Sequence, residues 1–512
     1  MTDASSDTLM ELIWSWPEAS PALTAPGRPA LGFGALRGLI CETIARLNAL
    51  GIGRGDRVAI VLPNGPEMAT AFLAVSAGAT AAPLNPAYRE EEFAFYMTDL
   101  GVKALLVEAE SQSPAVAAAT KLEIPVLRLG VFADAPAGAF EIAAIAPEVP
   151  LAAARGGFST ADDIALVLHT SGTTSRPKIV PLSQSNLSAS ARHIGATLRL
   201  TPADRCLNIM PLFHIHGLIA AVSSSLAAGA GVCCTPGFNA LKFFSWLGES
   251  GASWYSAVPT MHQTILARAG RNRAAIEAQP LRFIRSSSAS LPPQVMMELE
   301  ATFDAPVIES YGMTEATHQM ASNPLPPEAR KAGTVGRAAG PEVAIMAPNG
   351  ELLPAESEGE VVIRGPNVTG GYERNPEANA AAFARGWFRT GDQGVLDAEG
   401  YLKITGRLKE IINRGGEKVS PLEVDEVLMD HPAVRQVVTF ALPHEKLGEE
   451  VAAAVVLREG AELDVLGLRQ FAATRLADFK VPRKILFLDE IPKGATGKLQ
   501  RIGLAEKLGL TS

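Results

Sequence analysis

Apolar side chains return every third or fourth residue between 36 and 50, setting Leu36, Ile40, Ile44, Leu47 and Leu50 on one helical face. Gly51-Ile52-Gly53-Arg54-Gly55-Asp56 then turns the chain into the apolar run 57–63, which reads as a strand. The same change of period recurs. A helix predicted over 66–77 leads into the run 81–86, one over 89–99 leads into 103–109, and 124–130 adds another strand. Such alternation implies an α/β fold with mainly parallel, covered sheets. An Ala/Pro/Gly-rich segment, 134–158, reads as a surface connection, and Ile164–Leu168 reads as a buried strand entering a polar, glycine-containing loop.

Further α/β units are expected from 204 to about 310. Between 340 and 405 the short β-like runs 343–346, 359–365, 387–392 and 401–404 are separated by Gly, Pro and Asn, the pattern of a small mixed or barrel-like β unit. From about 409 a new α+β module is predicted, with helices over 421–429 and 464–476 and strands over 434–442, 451–457 and 484–488. The expected organisation is therefore a large N-terminal domain of several subdomains, 1–408, and a small mobile C-terminal domain, 409–512.

Composition narrows the partners. At 512 residues the chain is too long for one ordinary core, and a net charge of -9 offers no basic field for nucleic acid or an anionic membrane. The uncharged stretches 68–88 and 206–241 are long enough to span a bilayer, but Ala, Ser, Gly and Pro dominate them. Asp3 and Asp7 stand where a secretory leader would carry basic residues, so a cytoplasmic protein without integral membrane association is expected. Cys41, Cys206, Cys233 and Cys234 lack metal or disulfide-framework spacing and read as reduced core thiols.

Candidate chemistry concentrates in His169-Thr170-Ser171-Gly172-Thr173-Thr174-Ser175-Arg176-Pro177-Lys178. From Thr170 to Lys178 it supplies five hydroxyls, one glycine and a lysine, a set of donors suited to triphosphate oxygens. It is not the phosphate loop of nucleotide hydrolases, because the second glycine is missing and Ile179 follows the lysine.

With this loop the chain resembles the adenylate-forming superfamily of acyl-CoA synthetases, luciferases and peptide-synthetase adenylation domains. Motifs at 211–217 (PLFHIHG), 286–291 (SSSASL), 311–315 (YGMTE), 389–392 (RTGD), 406–421 and 492–501 occur in that family's order. The resemblance implies ATP, Mg²⁺ and coenzyme A as reactants or cofactors, a small carboxylic acid as substrate, and no obligate protein partner. It implies an acyl-adenylate that becomes a CoA thioester. Phosphates fall to Thr170, Ser171, Gly172, Thr173, Thr174, Ser175 and Lys178, and the metal to Glu315 with Thr170. AMP falls to Ser287, Ser288, Ala289, Glu309, Ser310, Tyr311, Gly312, Met313 and Thr314, with Asp392 and Arg407 on the ribose. Lys498 is the implied catalytic lysine, joined in catalysis by Thr170, Glu315 and His214, the last of which gates the thiol. Lys409 is the implied hinge, about which Arg414-Gly415-Gly416-Glu417 would swing to the thiol tunnel.

Local strings at 254–263, 311–326 and 412–425 are most similar to oxalate-activating members. His214, His216, Ser288, Thr314, Thr317 and His318 are then the acid-binding candidates, because a second carboxylate needs polar partners. The alternatives are a ligase for another small, medium-chain or aromatic acid, an adenylation enzyme serving a carrier protein, and an inactive relative. Ile179, where the family usually has glycine, would be strained if that position required positive φ.

Overall fold

The computed structural model describes residues 7–132, 134–143, 152–170, 177–493 and 499–510. Two large sheets dominate the first four hundred residues. In one, the strands Val126–Gly130, Ala104–Glu108, Arg57–Val61, Thr80–Pro83 and Ile164–Thr170 run parallel, and Lys178–Ser183 closes the edge antiparallel. In the other, Gly231–Cys234, Arg205–Asn208, Trp254–Ala257, Phe283–Ser286 and Val307–Met313 are parallel neighbours.

The helix Pro66–Gly78 touches strands of both sheets, and every residue in it except Glu67 is buried. That position explains its membrane-like hydropathy: it is apolar all round because it is covered all round. Gly78 lets the helix Phe33–Ala49 approach, since a Cβ there would lie 2.7 Å from Ile44 Cγ1. No helix among the described residues is long and apolar enough to cross a membrane.

The expected β unit is an antiparallel five-stranded sheet containing Glu342–Met346, Glu358–Arg364, Trp387–Leu396 and Leu402–Arg407. Beyond it, the helix Pro421–Met429 and the paired strands Val434–His444 and Gly448–Leu457 build a second body around Ile412, Val424, Leu428, Val451 and Leu468.

Two sequence expectations need correction. The segment 134–158 is not all surface: Ala137 and Phe140 are buried and Glu141–Ile142 pairs with Leu129 and Gly130, because a Phe in an otherwise small-residue run still seeks the core. Cys41 is exposed, on the outer face of its helix, while the other three cysteines are buried; all four are free thiols.

Candidate active site

The strand Ile164–Thr170 delivers the hydroxyl-rich loop and Lys178–Ser183 carries the chain away, with Thr170 opposite Lys178 and His169 opposite Ile179. Ser171, Gly172, Thr173, Thr174 and Ser175 lie outside the described residues, as does Lys498. His169 fixes the entering strand through Asp99, whose Oδ2 is 2.9 Å from Nε2, and through an edge contact with Tyr96. Ile179 is extended and buried in its strand, and its carbonyl accepts a hydrogen bond from Glu373 N. The position does not need positive φ, so a β-branched residue suits it.

Lys178 Nζ lies 4.3 Å from the centre of the Tyr372 ring, over its face. Burial, and then the charge of Lys409, hold its pKa below the usual lysine range. Beneath the same ring system, the Tyr372 hydroxyl donates to Glu315 Oε1 at 2.8 Å. Glu315 sits in the short turn Thr314–Ala316 and is buried, which raises its pKa despite the Tyr372 hydrogen bond and the cations Arg407 and Lys178.

Asp392 and Arg407 face each other across neighbouring antiparallel strands, joined Nε to Oδ1 at 2.8 Å. The Tyr311 hydroxyl donates to the other carboxylate oxygen, so an aromatic ring, a carboxylate and a guanidinium form one group. Gly391, at φ +74, makes the bend before Asp392. Lys409 is exposed in the tight turn directly after Arg407.

Gly312 allows the strand Val307–Met313 to touch the carbonyl of His318, 1.9 Å from where a Cβ would stand. Ser287 donates to the Ser310 carbonyl, tying the serine-rich turn containing Ala289 to that strand. Glu309 accepts from Leu291 N at 2.8 Å, its second oxygen has no partner among the described residues, and burial pushes its pKa up to about 8.

Arg285, absent from the sequence expectations, lies at the centre of the remaining cluster. Its side chain is fully buried, with no ion pair among the described residues and no partner for Nε. Among the described residues the terminal nitrogens reach His216 Nε2 and His318 Nδ1 at 3.5 Å, Ser256 Oγ at 3.4 Å and Gln319 Oε1 at 3.3 Å, all at the weak end of hydrogen bonding. Burial draws its pKa down to about 9. His216 opens a π-helical segment, His216–Ser223, and bonds Ser288 Oγ at 3.0 Å and Ser256 Oγ at 2.6 Å. Burial and the Arg285 charge keep both His216 and His318 well below the ordinary histidine pKa. Ser288, Thr317 and His318 all have positive φ, a concentration of backbone strain around one spot. Of the other acid-binding candidates, Thr317 donates its hydroxyl to the Asn367 carbonyl, and His214 accepts from His216 N at Nδ1.

Far along the chain, Arg414 forms a two-pronged pair with Glu450, and Gly415-Gly416, at φ +61 and +98, make the two-residue turn that brings Glu417 opposite Arg414.

Residues 16–373 match the family model described as AMP-binding enzyme, and 423–498 match that of the AMP-binding enzyme C-terminal domain. The chain belongs to the AMP-binding enzyme family. Among its relatives, the oxalate–CoA ligase of Arabidopsis thaliana is 47% identical over 97% of this chain and 98% of its own length. That of Saccharomyces cerevisiae is 41% identical over 90% and 88%. The crystal structure of ATP-bound MatB from Rhodopseudomonas palustris superposes with a TM-score of 0.87 at 30% identity, covering 98% of this chain and 99% of that one.

Two residues the sequence reading passed over had a signal in it. Arg285 directly follows the apolar pair Phe283-Ile284 and leads into the serine run 286–288, a place where a charge is rare without a purpose. Tyr372 follows two glycines, 370 and 371, in a stretch read only as part of a β unit.

Proposed function

We propose that the chain activates oxalate with ATP and passes the oxalyl group to coenzyme A. A carboxylate oxygen attacks the α-phosphorus, and the bond to pyrophosphate breaks. The CoA sulfur then attacks the acyl carbon, and the bond to AMP breaks. In this reading Asp392 and Arg407 hold the ribose beside Tyr311, Thr170 and Lys178 meet the phosphates with the loop between them, and Lys498 approaches from the C-terminal domain. Arg414, Gly415, Gly416 and Glu417 serve the thiol step after rotation about Lys409.

Glu315 fits a magnesium ion, which takes one or two carboxylates and completes its shell with phosphate oxygens and water. Its Oε1 is held by Tyr372 and the carboxylate is a hard, buried donor. Bound there, the ion would neutralise charge developing on the phosphates.

The observation that carries the choice of acid is Arg285. A buried guanidinium without a carboxylate is costly, and two neutral imidazoles and the Ser288 hydroxyl stand beside it. An acid with a second carboxylate one bond from the first supplies the missing anion. The high identity to oxalate–CoA ligases agrees with this.

The test is thioester formation from oxalate, malonate, acetate, a medium-chain acid and coumarate, with wild type and Arg285→Met. Oxalate should be preferred by wild type, and the variant should lose roughly a hundredfold or more in kcat/KM for it, the scale of an abandoned buried charge pair. The variant should melt no lower than wild type, because methionine removes an uncompensated charge. Inert oxalate, or a variant that turns it over normally, would refute the assignment.

A further inference from the structure

Lys178 and Glu315 carry opposite charges, and in a buried site they would collapse into an ion pair. They form none. Tyr372 lies between them: its ring face receives the Lys178 ammonium at 4.3 Å and its hydroxyl holds Glu315 Oε1 at 2.8 Å. The tyrosine itself is fixed from several directions. Asn379 clamps its backbone at both polar groups, accepting from Tyr372 N at 2.7 Å and donating to Tyr372 O at 2.8 Å. Gly371, at φ +132, leaves space for that amide, since a Cβ would lie 2.9 Å from Asn379 Oδ1. Thr369, two residues earlier, donates N–H to the Glu315 carbonyl at 2.7 Å and its hydroxyl to the Pro181 carbonyl at 2.8 Å. One turn is thus bonded both to the strand that begins with Lys178 and to the Glu315 backbone.

We propose that Tyr372 is a positioning residue that keeps the phosphate lysine and the metal carboxylate apart and ready, the ring seating Lys178 and the hydroxyl orienting Glu315. The second oxygen of Glu315 is left for a cation, and the lysine is left for phosphate. This rests on the adenylation reading of the site. The two functions sit on different parts of one side chain, so they separate by substitution. Tyr372→Phe keeps the ring and loses the hydroxyl; Tyr372→Leu loses both.

For Tyr372→Phe, the Mg²⁺ concentration giving half-maximal pyrophosphate release should rise about tenfold or more, the scale of one hydrogen bond to a charged group. The rate at saturating Mg²⁺ and the KM for ATP should stay within about twofold of wild type. Manganese titrated by electron paramagnetic resonance, with a non-hydrolysable ATP analogue present, should show binding weakened by the same factor. Tyr372→Leu should raise the KM for ATP as well. If Tyr372→Phe leaves metal affinity unchanged, or lowers the rate at saturating metal without changing metal affinity, the proposal is overturned. Should the leucine variant fail to fold, the phenylalanine variant and the manganese titration decide alone. Wild-type pyrophosphate release with acid and ATP is measured in parallel, and its absence would sink the adenylation reading instead.

Discussion

Glu309 shows how burial alone sets a charge state. It is fully enclosed, accepts one backbone hydrogen bond from Leu291 and feels Glu426, and its folded pKa is pushed up to about 8. Its neutral form is the one the folded protein favours. Below about pH 4 the carboxyl is neutral folded or unfolded, so it contributes no penalty. As pH rises from there toward 8 the unfolded chain releases the proton and the folded chain resists, so stability falls, by on the order of 5 kcal/mol once both are ionised. Glu309→Gln should therefore flatten the fall in melting temperature between pH 6 and 9, read by calorimetry. Parallel curves for variant and wild type would show that Glu309 is not the group responsible. Arg285 is the converse case, a buried cation near its titration range. Neither environment was legible in sequence, because burial depends on which strands become neighbours, and periodicity does not say that.

At the scale of elements, geometry turns sequence-distant motifs into one site. Asp392 and Arg407, fifteen residues apart, meet because adjacent antiparallel strands put them in register. Arg285, Ser288, His216 and His318 meet because the strands Phe283–Ser286 and Val307–Met313 are parallel neighbours, and a π-helical segment turns His216 toward Ser288. The α/β alternation and the helices Phe33–Ala49, Pro66–Gly78 and Glu90–Leu100 were legible from period, and helix boundaries such as Pro421–Met429 fell where expected. The buried part of 134–158 was not, because composition averages out the one Phe that matters. The Gly415-Gly416 turn carries an element-scale prediction. Gly416, at φ +98, tolerates no side chain without strain, yet its Cβ position has open space around it. Gly416→Ala should lower CoA thioester formation several-fold more than it lowers oxalate-dependent pyrophosphate exchange. Equal losses in the two half-reactions would remove the turn from the thiol step.

The whole molecule joins two bodies through a set of polar contacts. Gln263 meets Gln436 and the Arg435 carbonyl, Gln294 meets Asp430, and Glu298 and Arg458 stand 4.0 Å apart. Buried Glu309 and half-buried Glu426 repel each other across the same contact. A cleft of about 580 Å³ between Lys403, Thr405 and Leu408 on one side and Lys418, Glu423 and Lys480 on the other leaves the connection at Lys409 uncrowded. Amide hydrogen bonds and the long ion pairs Glu298–Arg458 and Lys403–Glu426 suit the proposed mechanism, in which the small domain presents Lys498 for one step and Arg414–Glu417 for the next. All of this depends on the order of bond breaking, and oxygen label reports that order directly. With oxalate fully labelled with ¹⁸O, ATP and coenzyme A, one labelled oxygen should appear in AMP and none in pyrophosphate. Label in inorganic phosphate or pyrophosphate, or unlabelled AMP alongside oxalyl-CoA, would contradict attack by the carboxylate on the α-phosphorus.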